Sequence, residues 1–180
     1  MQLNIIYSRP YEEVREACHA VKTSYPERDK WARILAANLP AWDKVVLIPV
    51  PGHEGYPSYT HALCCGMAIT YPPQGMKMQI FAAVTCEPRK SLCNIKEAGE
   101  SLPDEMRFDV EPADLQKLHS LISLGYNPIV IDNVIDTGRT AKAMQEALGV
   151  PCAFMCIGYT GNHPQTPLTN KISHHEQENY

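Results

Sequence analysis

The apolar positions of this chain fall into short blocks, and the blocks alternate between two periods. Residues 45–50 (VVLIPV), 78–85 (MQIFAAVT), 128–134 (PIVIDNV) and 152–159 (CAFMCIGY) are nearly continuous apolar runs. Their length and β-branched content suit strands covered on both faces. Residues 3–7 predict a further short strand. Between these runs the pattern changes to helical spacing. A helix is expected over 10–21, with Val14, Ala17, Cys18 and Val21 on one stripe, and another over 27–38, stopped by Pro40. Others are expected over 58–70, over 112–125 with Leu115, Leu118, His119 and Ile122 in line, and over about 140–148, ending at Gly149. Residues 86–111 show little periodicity and predict a long loop or small flap, a feature more often functional than idle. The alternation of strands and helices indicates an α/β domain with a mainly parallel sheet flanked by helices. Ligands in such sheets sit at the carboxyl ends of strands. That directs attention to residues 51–57 and 132–140.

Composition narrows the classes. The chain has 180 residues, 20.1 kDa and a formal charge of -4, the size of one domain over 1–180 with a sizeable core. An acidic balance argues against a nucleic-acid partner, which needs a basic face, and leaves room for a local cationic pocket. The seven cysteines are odd in number and show no CxxC pair, so they predict reduced packing residues of a cytoplasmic protein rather than a disulfide or zinc framework. Cys64 and Cys65, on a helical segment, fit core packing better than a nucleophile. No signal peptide and no membrane-spanning run is expected. The polar tail, 161–180, carries His174 and His175, a weak metal candidate.

The densest chemistry lies in 127–144, NPIVIDNVIDTGRTAKAM. A strand that merely fills a core has no use for Asp132 and Asn133 at its end, followed by Asp136-Thr137-Gly138-Arg139-Thr140 where a helix starts. Gly138 permits a tight turn and close approach of a ligand to the backbone. Thr137 and Thr140 offer hydroxyls, and the helix start offers free N–H groups with a dipole that contributes about 0.3–1 kcal/mol toward an anion. Asp132 and Asn133 can accept hydrogen bonds from sugar hydroxyls. Each residue alone is more often a cap or turn residue; together, after a strand, they suit a phosphorylated, polyhydroxyl ligand. In the same way His53 and Glu54, in the turn-rich Pro51-Gly52-His53-Glu54-Gly55, are by default a solvated loop tip.

The run IVIDNVIDTGRT, residues 129–140, resembles the motif by which type I phosphoribosyltransferases bind phosphoribosyl pyrophosphate (PRPP): an apolar strand, two acidic residues, two apolar, then Asp, Ser or Thr followed by Thr-Gly-x-Thr. Every position but one fits. The likeness extends as a core layout over about 44–160, leaving 1–43 as an N-terminal helical extension and 161–180 as a tail. It implies that Asp136, Thr137, Gly138, Arg139 and Thr140 wrap the 5-phosphate, while Asp132 and Asn133 face the ribose hydroxyls. It further implies that Pro51, Gly52, His53 and Glu54, with Arg89 and Lys90 of a mobile flap over 86–111, hold the pyrophosphate. Mg²⁺ would travel with PRPP and meet Asp132 indirectly. The implied activity is transfer of the phosphoribosyl group to a nitrogenous base with release of pyrophosphate. Dimers are common in that family, so a homodimer is admitted.

Asn133 is the departure, standing where the family usually has a second carboxylate. An uncharged acceptor costs on the order of 1 kcal/mol in binding, and more in stabilising positive charge on the ribose ring. Asp136 resembles the residue that serves purine-type members as proton acceptor, and with Asp132 it is the expected catalytic pair; a helix N-cap is an equal alternative for Asp136. Against a 6-oxopurine, the strand CAFMCIGYT lacks the lysine such members carry, and the next one is Lys171. Tyr159 is a base-stacking candidate set against an ordinary core tyrosine. The alternative function is a non-catalytic PRPP- or nucleotide-sensing domain on the same fold.

Overall fold

The computed structural model describes residues 3–90, 99 and 106–161. Its strands are β1 (Asn4–Pro10), β2 (Lys44–Pro49), β3 (Lys77–Ile80), β4 (Asn127–Ile135) and β5 (Ala153–Tyr159). They form one sheet in the order β1-β5-β4-β2-β3, with every neighbouring pair parallel. This is the α/β fold that the hydrophobic pattern predicts. All of β5 is buried, as is β2 after Lys44, and the reason is visible in the layers. Val45, Leu47, Ile129, Ile131, Met155 and Ile157 pack beneath α1 (Tyr11–Ala20), α2 (Tyr25–Ala37) and α3 (Tyr59–Cys65). Their neighbours Val46, Ile48, Val130, Phe154 and Cys156 point the other way, toward α4 (Pro112–Ser123) and α5 (Arg139–Leu148). Strands covered on both faces have no polar side to show, hence the unbroken apolar runs.

Local signals set most boundaries. Ser24 caps α2 by accepting the Glu27 N–H at 3.4 Å, and Pro26 sits in its first turn. The helix expected over 58–70 divides into α3 and a π-helical turn, Gly66–Thr70, closed by a Tyr71 N–H bond to the Gly66 carbonyl at 2.9 Å.

Two expectations change. Residues 3–43 are not an extension beside the core: β1 is an edge strand next to β5, and α1 and α2 supply much of one covering layer. The strand expected over 78–85 stops at Ile80. Leu47 accepts the Phe81 N–H at 2.9 Å, so its backbone faces β3. Two residues on, the backbone that faces β3 is Pro49, which has no N–H to continue the ladder. Phe81 and Val84 then leave the sheet but remain in the core. Among the described residues no helix is long and apolar enough to cross a membrane.

Candidate functional site

Strands β2 and β4 lie side by side, yet the chain leaves them in opposite directions. After β2 it runs to α3 on one face; after β4 it runs to α5 on the other. Such a divergence opens a crevice at the carboxyl ends of the two strands, where open α/β sheets bind ligands. A cavity of about 700 Å³ occupies this place, within the range usual for small-molecule sites. Its walls include Pro51, Gly52, His53 and Glu54 after β2, Arg89, and every residue from Asp132 to Thr140. Three stretches far apart in sequence therefore meet around one space. Of the expected site residues, Lys90 is exposed and is not part of the lining.

The loop after β4 is shaped by Gly138, whose φ of 71° is the left-handed conformation that a side chain would strain. Gly138 is also the N-cap of α5, so no capping side chain stands over the helix start, and the first intrahelical bond is from Lys142 N–H to the Gly138 carbonyl. This leaves the first-turn N–H groups directed at the cavity end of the helix. Thr137 and Arg139 are exposed there, and Thr140 is half-buried with its Oγ1 at 3.5 Å from Met106 Sδ.

The three acidic and amide positions are held differently. Asp132 accepts the Asn133 backbone N–H at 2.8 Å. Burial pushes its carboxyl up to about 6, against the opposing pull of that N–H and of Lys22 and Arg89. Asn133 is buried, and its amide is turned to the protein: Oδ1 accepts from the Tyr59 hydroxyl at 3.0 Å, and Nδ2 donates to the Cys18 carbonyl at 2.9 Å. Asp136 does not hold the N-cap position of α5. Its Oδ1 accepts from the Thr160 hydroxyl at 2.9 Å, at the end of β5.

The loop after β2 is stitched to the segment that follows β3. Arg89 N–H donates to the His53 carbonyl at 2.8 Å, and Cys86 N–H to the Gly55 carbonyl at 2.9 Å. Gly55 makes this approach: a Cβ there would lie 2.6 Å from the Cys86 carbonyl oxygen. Thr60, fully buried, donates to the Val50 carbonyl at 2.7 Å and fixes the start of α3 to the end of β2. Thr85 and Asp109 exchange backbone bonds of 2.9 and 2.8 Å across an antiparallel bridge. The expected flap thus begins and ends at one point; residues 91–98 and 100–105 of it, like the tail beyond 161 with Lys171, His174 and His175, lie outside the described residues.

No family model matches the chain, and no curated protein matches it. What the site can bind is therefore argued from its groups. Cations (Lys22, Arg89, Arg139) and carboxylates (Glu54, Asp132, Asp136) share the lining, an arrangement suited to a ligand with separate anionic and hydroxyl-rich parts. Among the described residues no three His, Cys, Asp or Glu side chains converge as a metal cage. Mg²⁺ needs none when it arrives on substrate phosphates, since one or two carboxylates and water complete its shell. Asp132, an oxygen donor kept from bulk water, fits that part.

The N-terminal wall was not expected. Tyr11, Cys18, His19, Lys22 and Thr23 of α1 and its end line the cavity, with the Tyr11 hydroxyl 3.4 Å from His19 Nε2. Tyr59 and Thr160 were also missed. Burial and the nearby Asp132 charge push the Cys18 thiol up to about 12, so it stays protonated and inert. Cys64 is fully buried in the core, as expected, while Cys65 is half-buried beside His61. Tyr159 is a core residue.

Proposed function

We propose that this cavity binds Mg²⁺-bound PRPP and passes its phosphoribosyl group to a nitrogenous base, a purine in preference, with release of pyrophosphate. One observation carries the reading. The motif residues 132–140, the loop 51–54 and Arg89 surround a single space at the strand ends, with an α-helix N-terminus opening onto it through Gly138. In this scheme the amides and hydroxyls of residues 136–140 hold the 5-phosphate, and Asp132 the ribose. Residues 51–54 and Arg89 hold the pyrophosphate; Mg²⁺ arriving with the substrate would supply further neutralisation of its charge. The bond from the anomeric carbon to a pyrophosphate oxygen breaks, and that carbon bonds to a ring nitrogen of the base. The desolvated Asp132 carboxylate faces the positive charge that develops on the ribose, where low dielectric strengthens the attraction. Asp136 accepts the proton that the nitrogen loses; its place in the cavity lining supports this role.

A second reading, binding without catalysis, draws on one observation: the Asn133 amide is engaged by Tyr59 and Cys18, leaving a single acidic side chain at the ribose end. Calorimetric titration with PRPP and Mg²⁺, beside a Thr137→Ala, Thr140→Ala double variant, tests the ligand. Saturable binding that the variant loses supports both readings, and no binding at millimolar PRPP removes both. Pyrophosphate release across a panel of bases then separates transferase from sensor.

A further inference from the structure

Asp132 and Asn133 are adjacent on β4 and so point to opposite faces. Among the described residues Asn133 and Thr60 are the polar side chains that are buried, Asn133 with 8% exposure. Both ends of its amide are used. The oxygen takes the Tyr59 hydroxyl from α3, and the nitrogen gives to the carbonyl of Cys18, 115 residues away on α1. The Cys18 thiol reaches back to the Asn133 carbonyl at 3.5 Å. Beside this junction α1 presses on β5 at Gly158, where a Cβ would lie 2.9 Å from Cys18 Sγ and 3.0 Å from the Tyr11 ring.

We propose that Asn133 is a positioning residue that docks the carboxyl end of α1 onto β4, so that residues 18–23 stand as a wall of the cavity, and that a carboxylate at 133 dismantles this wall. The docking depends on a donor. The Cys18 carbonyl can only accept, and an ionised Asp in place of Asn133 would set oxygen against oxygen while retaining only the Tyr59 bond. Beside that position stand Tyr59 on α3, Cys18 on α1 and Asp132 on β4, with Lys22, in the turn after α1, and Arg89 acting on Asp132, and with Cys156 of β5 close to it. Lys22 and Arg89 favour an added carboxylate, while Asp132 and burial oppose it. Adding the acidic residue that the motif usually carries should therefore weaken the site rather than improve it.

The docking itself is independent of the ligand; its effect on PRPP affinity rests on the function proposed above. The test compares wild type, Asn133→Asp, Asn133→Ala, Tyr59→Phe and the Asn133→Ala, Tyr59→Phe pair by thermal melting, then by PRPP titration well below every melting point. At about pH 8 Asn133→Asp should melt several degrees below wild type, because the Cys18 carbonyl loses its donor. The Ala and Phe losses should be non-additive, since each removes the same bond. PRPP affinity of Asn133→Asp should fall about tenfold. Equal melting of Asn133→Asp and wild type, additive losses, or tighter PRPP binding by Asn133→Asp would each overturn the proposal. The melting signature without PRPP binding by wild type would uphold the docking role and remove the proposed ligand.

Discussion

A carboxylate with few waters around it is costly until something positive arrives, and Asp132 is such a group. Its folded carboxyl titrates near 6 against an ordinary 3.8. Between those values the folded chain holds more protons than the unfolded one. The contribution of Asp132 to stability is thus fully present below about pH 4 and is lost as pH rises through about 6. The loss reaches up to about 3 kcal/mol, at about 1.4 kcal/mol per unit. Asp132→Asn keeps an acceptor for the Asn133 N–H and removes the charge. Melting scans should show it several degrees above wild type at about pH 8 and level with it at about pH 4, while calorimetry shows weaker binding of Mg²⁺-bound PRPP. A wild-type advantage at the higher pH would contradict the burial argument. Asp136 calls for a kinetic test. Asp136→Asn should lower pyrophosphate release about 10²–10⁴-fold, the usual contribution of a general base, with PRPP affinity nearly unchanged. Thr160 donates to that carboxylate at 2.9 Å and so fixes its orientation. Thr160→Val should lower pyrophosphate release; Thr160→Ser should leave it nearly unchanged.

Among the elements, the turn into α5 and the wall made by α1 show what a sequence can and cannot disclose. Gly138 occupies a left-handed conformation at the mouth of the cavity, so Gly138→Ala should cost about 1–2 kcal/mol in melting experiments. On the proposed function it should also weaken PRPP binding, by placing a methyl where the 5-phosphate would approach the backbone. That turn was legible because one contiguous run, residues 129–140, contains both the strand and the loop. The strands β2, β4 and β5 were legible for a related reason: burial on both faces writes itself as an unbroken apolar block. The strand β1 was harder to place, since an edge strand with the mixed burial of Asn4–Pro10 has little pattern and its pairing with β5 joins the two ends of the described chain. The end of β3 depended on a missing N–H at Pro49, on a different strand. Lys22 and Tyr59 reach the cavity through helix packing, and no local motif marks a residue brought in that way. Asn133 was read as a ribose contact from the resemblance of its run; its bonds to Tyr59 and Cys18 come from helix packing, which that run does not disclose.

For the molecule as a whole, the cavity draws its walls from the loop after β2, from β4, α1, α5 and the segment that contains Arg89, so a ligand there would join parts of the fold that lie on both sides of the sheet. At a PRPP concentration about a hundredfold above Kd, linkage adds about 2.7 kcal/mol of stability. Differential scanning calorimetry should then show a rise of roughly 5–10 °C, at about 2–4 °C per kcal/mol for a chain of this size. Absence of any rise at saturating PRPP would count against binding to the folded state. The bridge between Thr85 and Asp109 has a different kind of consequence. Chain that departs and returns at one anchored point is a cassette: its length is uncoupled from the sheet beneath it. Even doubling such a loop adds only about 0.6 kcal/mol of closure entropy. Mutation and insertion between those two residues can accordingly rewrite what borders the Arg89 side of the cavity while the strands keep their register, which makes this stretch the place where related chains would diverge first.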